Sequence, residues 1–220
     1  LCAKELAVMC ASHNGEPEHV EAVLAMLAKL GLPADALRCG AHPPLHRPAA
    51  EDLLRAGEPY LAVHNNCSGK HAGMLALALQ LGADPADYFR AEHPVQRAML
   101  AAFAHFAGVP AESVVLATDG CGVPTFGVPL SALARAFARF GSPPEDDPYA
   151  PAARRLMDAV RRHPHMIAGS GRFDTDLAAA TKGRVIGKSG AEGVFAAAVP
   201  ELGLGLAVKI EDGAARALYP

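Results

Sequence analysis

The sequence predicts an α+β fold in which a block of helices precedes a small antiparallel sheet. Apolar residues recur at helical spacing over most of the first two-thirds of the chain, and short β-rich runs separated by turn residues follow residue 183. The chain has 220 residues, of which 51% are hydrophobic and 20% charged, a balance typical of folded globular proteins. This length is enough for one well-buried domain, so we expect residues 1–220 to form a single domain.

Proline and glycine mark the ends of the predicted helices. Pro17 suits the first position of a helix, and Gly31 ends the apolar pattern that begins there. The polar segment Ser142–Pro148 is predicted to be a linker. The same signals predict a short helix from Pro48, a helix over Lys70–Leu81, a helix from Pro94 to Gly108, and a helix that Ser131 caps and that extends to Phe140.

The C-terminal part of the chain changes to a strand pattern. Arg184–Gly187, Val194–Val199 and Leu204–Ile210 are β-rich runs, and glycine-containing turns separate them. They predict a three-stranded antiparallel meander. Because folded proteins usually cover the open edges of a sheet, we expect that flanking strands or helices are missing from this chain.

Composition excludes several classes of protein. The net charge is −3 and the basic residues form no stripe, which disfavours a nucleic-acid partner. No apolar run approaches the roughly 18–20 residues that span a bilayer, so no membrane partner is expected. Five cysteines, an odd number, favour reduced thiols in the cytoplasm over a disulfide scaffold.

Thiols occur in two polar stretches that also contain glycine and side chains able to bind metals or move protons. Cys67 lies in His64–His71, and Cys121 lies in Thr118–Gly122. We expect one site built from both stretches, and two thiolates are good ligands for zinc. Buried structural cysteines are the alternative interpretation, because the chain contains no C-x-x-C pair.

Three neighbouring side chains could complete a zinc site. Lys70 would share a helix face with Cys67, but an amine binds zinc only after losing its proton, which costs free energy. His71 and His64 are more usual zinc ligands. Spacing alone leaves these possibilities open.

A second candidate constellation pairs a serine with a lysine. The tripeptide beginning at Lys188 follows a predicted strand, as in serine β-lactamases and penicillin-binding proteins, where an edge strand presents the lysine to a nucleophilic serine. Ser12 is the best candidate for that serine, and a desolvated lysine can remove its proton. The alternatives are a solvated hairpin end at Lys188 and, for Ser12, an N-cap of the helix that starts near Pro17.

These stretches together resemble the L-asparaginase II family, the zinc-containing, β-lactamase-like asparaginases of rhizobial type. The matching segments occur in the family's order across nearly the whole chain, so the set is much more specific than any single segment. They are Cys10–His19, Asn65–Gly73, His93–Gln96, Asp119–Thr125, Gly169–Phe173 and Lys188–Gly193.

The resemblance implies a serine β-lactamase/penicillin-binding-like fold, a homodimer, and hydrolysis of L-asparagine to L-aspartate and ammonia through an acyl-enzyme. A zinc ion would bind or orient the charged end of the substrate, and backbone amides near the nucleophile would stabilise the oxyanion. By position, Ser12 matches one of the family's two active-site serines, and Lys188 matches its lysine partner. The zinc ligands of the family match Cys67, Lys70 and Cys121. Polar groups of the substrate pocket match His71 and Asp119.

One departure from the family concerns its other serine–lysine pair. That pair lies in an S-x-x-K motif upstream of the Ser12 segment, and this chain contains no S-x-x-K. We therefore expect a chain truncated at both ends, with little or no asparaginase activity as written. The alternatives are a glutaminase-type or cyclic-amide hydrolase and a non-catalytic zinc- or ligand-binding domain of the same fold.

Overall fold

The structure, a computed structural model, describes residues 1–218 and has the α+β architecture that the sequence predicts. The two longest helices have 14 residues each, and both bury an apolar face. The helices are α1 (Ala3–Met9), α2 (Pro17–Leu30), α3 (Arg47–Ala56), α4 (Ser68–Gln80), α5 (Pro94–Ala107), α6 (Leu130–Gly141), α7 (Ala150–Arg162), α8 (His165–Ala168) and α9 (Phe173–Ala180). In the described residues, no helix is long and apolar enough to cross a bilayer.

The strands form two antiparallel sheets. β1 (Val115–Thr118) and β2 (Pro124–Gly127) make a hairpin, in which Thr118 pairs with Pro124. β3 (Ile186–Gly190), β4 (Val194–Val199) and β5 (Leu204–Lys209) make the predicted meander in the order β3-β4-β5. Lys188 pairs with Ala196 in this sheet, so it lies within an edge strand of the described sheet rather than after a strand.

Buried apolar side chains gather into two main groups that meet next to Ser12. The first group packs α1, α2 and α4 together, with Val8 and Leu75 fully buried. The second joins α7, α8 and α9 to the β3-β4-β5 sheet. Cys10 packs against the second group and Ala11 belongs to the first, so the chain reaches Ser12 at the boundary between them.

Several local predictions are corrected by the structure. Ser131 lies inside the first turn of α6, because the N-cap position is Pro129. Ser142–Pro148 is not a free linker, since Asp147 is buried and its Oδ2 lies 2.8 Å from His105 Nε2 on α5. Ser12 does not cap α2, whose N-cap is Glu16. The structure also contains α1, α7, α9 and the β1–β2 hairpin, which the sequence analysis did not identify.

Gly205 shows how tightly α6 packs on β5. A Cβ atom at this position would lie 1.9 Å from the Ala134 carbonyl oxygen and 2.5 Å from the Ala138 nitrogen, both in the backbone of α6. Gly205→Ala is therefore expected to lower the free energy of unfolding by about 1–3 kcal/mol or more, because the helix must move away from the sheet. Urea denaturation measures this change.

The matched control for that substitution is Gly127→Ala. A Cβ atom on Gly127 would meet its nearest neighbour, the Val115 side chain, at 3.4 Å, which is ordinary contact. This variant should change the unfolding free energy by less than about 1 kcal/mol. Equal effects of the two substitutions would contradict the close approach of α6 to β5.

Candidate active site and metal centre

The N-terminus of α4 is fixed by the residues on either side of Cys67, which is its N-cap. Asn65 Oδ1 accepts a hydrogen bond from the Cys67 backbone N–H at 2.8 Å, and Asn65 Nδ2 donates to the Cys39 carbonyl at 2.8 Å. Gly69 lets α4 approach α1, since a Cβ there would lie 2.1 Å from the Val8 carbonyl oxygen. The sequence around Cys67 therefore holds Lys70 and His71 in the first turn of a well-anchored helix.

Asp119 and Cys121 lie in the turn of the β1–β2 hairpin. The Asp119 N–H donates to the Val123 carbonyl at 2.8 Å, and the Gly122 N–H donates to the Asp119 carbonyl at 2.9 Å. Gly122 has φ of +86°, a left-handed conformation that glycine adopts without strain. Asp119 Oδ1 accepts a hydrogen bond from the Gly120 N–H at 2.7 Å, so the other carboxylate oxygen, Oδ2, is available for contacts outside the turn.

The structure brings the hairpin turn against the start of α4. Lys70 Nζ donates to Asp119 Oδ2 at 2.7 Å, and both side chains are partly exposed. Cys121 Sγ lies 3.4 Å from the same Asp119 oxygen. The sulfur atoms of Cys67 and Cys121 and a carboxylate oxygen of Asp119 all lie within 4.8 Å of one another. Two thiols, a carboxylate and an amine therefore share one small site.

Charge in this site favours a thiolate at one cysteine. A hydrogen bond from the Cys67 thiol lowers the pKa of Cys121, and the same bond together with burial raises the pKa of Cys67. Burial alone would lower the pKa of Lys70, but the neighbouring thiolate and the Asp119 carboxylate outweigh it and raise that pKa. Burial alone would raise the pKa of Asp119, but the hydrogen bond from Lys70 outweighs burial, so the pKa of Asp119 is lowered. Lys70 is therefore a protonated partner of Asp119 here.

His71 supplies an independent indication that the site suits a metal. Its ring is fully buried, and Nδ1 lies at hydrogen-bond distance from the Tyr88 hydroxyl. Nε2 has no partner with hydrogen-bond geometry among the described residues, although the ring lies close enough to Cys121 to lower that thiol's pKa. The group of potential metal ligands contains Cys67, Asp119 and Cys121 and not His71, and its two sulfur atoms are ligands that zinc prefers.

His64, the other histidine of this stretch, lies outside the group. Its Nδ1 accepts from the Leu61 backbone N–H at 2.9 Å, which closes a short turn before α4. Burial lowers its pKa. No metal-binding group in the described residues includes it, so the structure gives His64 a role in the turn.

Ser12 lies in an extended segment between α1 and α2, and this segment is held from both sides. The Ser12 N–H donates to the Ile167 carbonyl at 3.0 Å, and the His13 N–H donates to the Asn66 carbonyl at 3.0 Å. Asn66 Nδ2 donates to Ser12 Oγ at 3.0 Å. Ser12 is thus one hydrogen bond away from the residue that precedes Cys67, so the serine and the thiol-bearing stretches are neighbours.

Lys188 approaches the site from the sheet. The Lys188 ammonium donates a hydrogen bond to the Ser189 carbonyl. Lys188 also lines a cavity of about 260 Å³, whose other lining side chains are mainly apolar. Burial lowers the pKa of Lys188, and the nearby Arg172 and Lys70 lower it further, whereas Asp174 opposes the shift. The tripeptide is therefore not a solvated hairpin end. No hydrogen bond joins Lys188 to Ser12 in the described part of the chain.

Three further residues at the site were not identified from the sequence. Asn66 holds Ser12, and its position next to Cys67 is the signal that could have found it. Arg172 Nη1 donates to Asn14 Oδ1 at 2.9 Å, and Arg172 lies within a segment on which the family resemblance depends. Asp174 accepts hydrogen bonds from the backbone and hydroxyl of Ser189, and no spacing in the sequence indicates this contact.

Comparison with known protein families identifies one family whose profile includes these stretches. The family profile described as L-asparaginase II matches residues 1–220, which is the whole chain. A comparison with curated protein sequences found no match. The matched region includes the two thiol-bearing stretches, the Ser12 segment and the strand of Lys188. The chain belongs to the L-asparaginase II family.

Proposed function

We propose that this protein is an amidohydrolase that converts L-asparagine to L-aspartate and ammonia through a serine acyl-enzyme, with a zinc ion bound beside the serine. The observation that carries the proposal is the hydrogen bond of 3.0 Å from Asn66 to Ser12 Oγ. This bond joins Ser12 to the residue before Cys67, and Cys67 belongs to the cluster with Asp119 and Cys121, which supports the proposal. Family membership supports the reaction class.

Ser12 would act as the nucleophile. Its oxygen attacks the carbon of the side-chain amide, the C–N bond breaks, and ammonia leaves as the serine ester of aspartate forms. Water then attacks the ester, and L-aspartate is released with the Ser12 hydroxyl restored. Two contacts support this role, since Asn66 donates to the Ser12 oxygen and the Ile167 carbonyl accepts from the Ser12 N–H.

Lys188 would move the proton. A lysine acts as a base only when neutral, and burial of Lys188 lowers its pKa and so favours that form. It would accept the Ser12 proton during attack and give it to the departing nitrogen. Arg172 favours the neutral form further, because its charge also lowers the pKa of Lys188.

The backbone amides of the serine segment do not provide the oxyanion site that the resemblance implies. The N–H groups of Ser12, His13 and Asn14 all donate to carbonyl groups of the protein, so none is directed at a substrate. Asn66 Nδ2 is the side-chain donor next to Ser12 Oγ, and its second N–H would stabilise the charge that develops on the carbonyl oxygen.

Cys67, Lys70 and Cys121 would hold the zinc ion, with Asp119 and His71 beside it. When bound, zinc supplies a fixed positive charge that binds or orients the charged end of a substrate. Lys70 would become a ligand only after releasing its proton, and Asp119, at 2.7 Å, is the group that accepts its hydrogen bond. Asp119 and His71 would then line the substrate pocket.

The wider features of the chain belong to the same proposal. We assign residues 1–220 to one domain with the arrangement of serine β-lactamases, in which the β3 edge strand presents Lys188 to the serine. The protein would act as a homodimer on a small-molecule substrate in the cytoplasm.

Ammonia release from L-asparagine tests the proposed function. The assay compares the 220-residue chain with a form carrying upstream residues that supply an S-x-x-K motif, and uses L-glutamine as the second substrate. We expect activity on L-asparagine in the extended form, little in the 220-residue form, and one zinc ion per chain. Zinc binding with no ammonia from either substrate would contradict the proposal and favour a binding domain.

Lys188→Met should lower kcat by about 10²- to 10⁴-fold in whichever form releases ammonia, because the variant lacks the base. The wild-type rate should rise with pH through the ionisation of Lys188, at a pH below the usual lysine value of 10.5. Lys188→Arg should be equally inactive, since arginine keeps the charge but stays protonated. The exposed Lys182→Met is the control, and it should retain wild-type kinetics.

A further inference from the structure

Two basic side chains, Arg172 and Lys188, lie near the segment that carries Ser12, since Arg172 contacts Asn14 and Lys188 lines the same cavity as Cys10. Neither Arg172 nor Lys188 forms an ion pair with an Asp or Glu in the described part of the chain, whereas the cation of Lys70 is paired with Asp119. Arg172 is close enough to Lys188 for the guanidinium charge to lower the pKa of Lys188. Asp174 opposes this effect on Lys188, and because the proposed base is neutral, the guanidinium of Arg172 is the positive charge left for an anionic ligand.

The backbone and side-chain contacts of Arg172 place it beside the serine segment. It is the N-cap residue of α9, and its Nη1 donates to Asn14 Oδ1 at 2.9 Å. Asn14 lies two residues after Ser12, and its Nδ2 donates to the Ser170 carbonyl at 3.0 Å. Residues 170 and 172 therefore run alongside the segment that carries Ser12.

Contacts of the first turn of α9 bring Arg172 close to Lys188 as well. Asp174, two residues after Arg172, accepts hydrogen bonds from the backbone N–H and the hydroxyl of Ser189. Ser189 directly follows Lys188 in β3. The start of α9 is thus attached to both sides of the proposed site, the serine segment and the lysine strand.

Arg172 has the chemistry to bind a carboxylate. A guanidinium has five N–H donors in a planar fork, and within the described residues that of Arg172 donates one hydrogen bond, to Asn14. Arginine matches carboxylate geometry with two parallel hydrogen bonds. L-Asparagine carries one carboxylate, on its α-carbon, and that group must lose part of its hydration when the substrate binds.

We propose that Arg172 binds the α-carboxylate of the substrate and so restricts the enzyme to amides that carry a free carboxylate. This inference rests on the proposed function, because it concerns the substrate of the Ser12 site. Lys188 is reserved for proton transfer in its neutral form, and Lys70 is held by Asp119. An asparagine side chain whose α-carboxyl group is part of a peptide bond or an amide would lack the group that Arg172 selects.

Equilibrium binding to the 220-residue chain tests this inference without requiring turnover. Isothermal titration calorimetry would compare L-asparagine with the diamide of L-aspartic acid, which keeps the side-chain amide and has a neutral amide in place of the α-carboxylate. Arg172→Gln should weaken L-asparagine binding by about 10- to 100-fold and leave binding of the diamide within about threefold. Arg172→Lys should restore part of the loss, because it keeps the charge.

Arg97→Gln, which removes one exposed charge on α5, is the matched control and should bind both ligands as the wild type does. Equal weakening of both ligands by Arg172→Gln would overturn the inference, since it would indicate a structural role through Asn14. Unchanged L-asparagine binding would overturn it as well. Wild-type binding of L-asparagine with no ammonia release from either the 220-residue or the extended form would instead refute the proposed hydrolysis, and the comparison of ligands would still decide the role of Arg172.

Discussion

Replacing Ser12 with alanine is expected to lower kcat for ammonia release by about a thousandfold or more, in whichever form of the protein is active. The variant lacks the oxygen that would form the acyl-enzyme, and loss of a nucleophile removes nearly all of the catalysis that depends on it. Thermal stability and zinc content should be almost unchanged, because the segment is held mainly by backbone hydrogen bonds to Ile167 and Asn66. The measurement combines steady-state kinetics with thermal denaturation.

Two comparisons separate catalysis from folding in that experiment. Ser142→Ala, on an exposed serine at the C-terminus of α6, is the control and should retain wild-type kcat. Mass spectrometry of the wild type, quenched during turnover, should detect an aspartyl adduct on the peptide containing Ser12. A Ser12→Ala variant that keeps more than a tenth of the wild-type kcat would rule out Ser12 as the nucleophile.

Cys121→Ser is expected to weaken zinc binding by more than about 100-fold. Loss of a group that only supports a metal ligand typically costs 10- to 100-fold, and here a sulfur ligand itself is removed. The effect should be large because Cys121 is the cysteine whose pKa is lowered, so it offers a thiolate at little cost. Competition with a chromophoric zinc chelator at fixed pH measures the change in affinity.

The control for Cys121→Ser is Cys2→Ser, at an exposed cysteine outside the site. This variant should bind zinc as tightly as the wild type. Cobalt substitution adds a second measurement, since the sulfur-to-cobalt absorption band should be reduced in Cys121→Ser and unchanged in Cys2→Ser. Wild-type zinc affinity in Cys121→Ser would contradict the proposed ligand set.

Much of the fold could be predicted where proline and glycine at the ends of an element agree with the spacing of its apolar residues. α2 runs from Pro17 to Leu30 and ends at Gly31, and the three-stranded meander follows the predicted order. α7 was not identified, because Tyr149 at its N-cap makes no side-chain capping bond and the proline in its first turn is the one start signal there. The β1 strand was missed because its four side chains are all exposed, and burial on one face is what produces an alternating pattern.

The candidate site shows a different limit. Residues of unusual chemistry, such as Cys67 and Lys188, stand out from an alanine- and leucine-rich sequence. Asn66 and Arg172 are ordinary polar residues, and their contacts with Ser12 and Asn14 join positions 54 and 158 residues apart. Sequence spacing carries no information about such long-range contacts, which only the packing of α1, α4 and α8 around the serine segment creates.

The position of Ser12 at the boundary between two buried groups has a thermodynamic consequence. Cys67 belongs to the side packed around α1 and α4, whereas Lys188 belongs to the side that includes α7 and the sheet. A ligand that contacts both sides would act as a non-covalent cross-link, and its binding free energy would add to the resistance of the whole chain to unfolding. Conversely, a loosening of the boundary would move Ser12 away from Lys188.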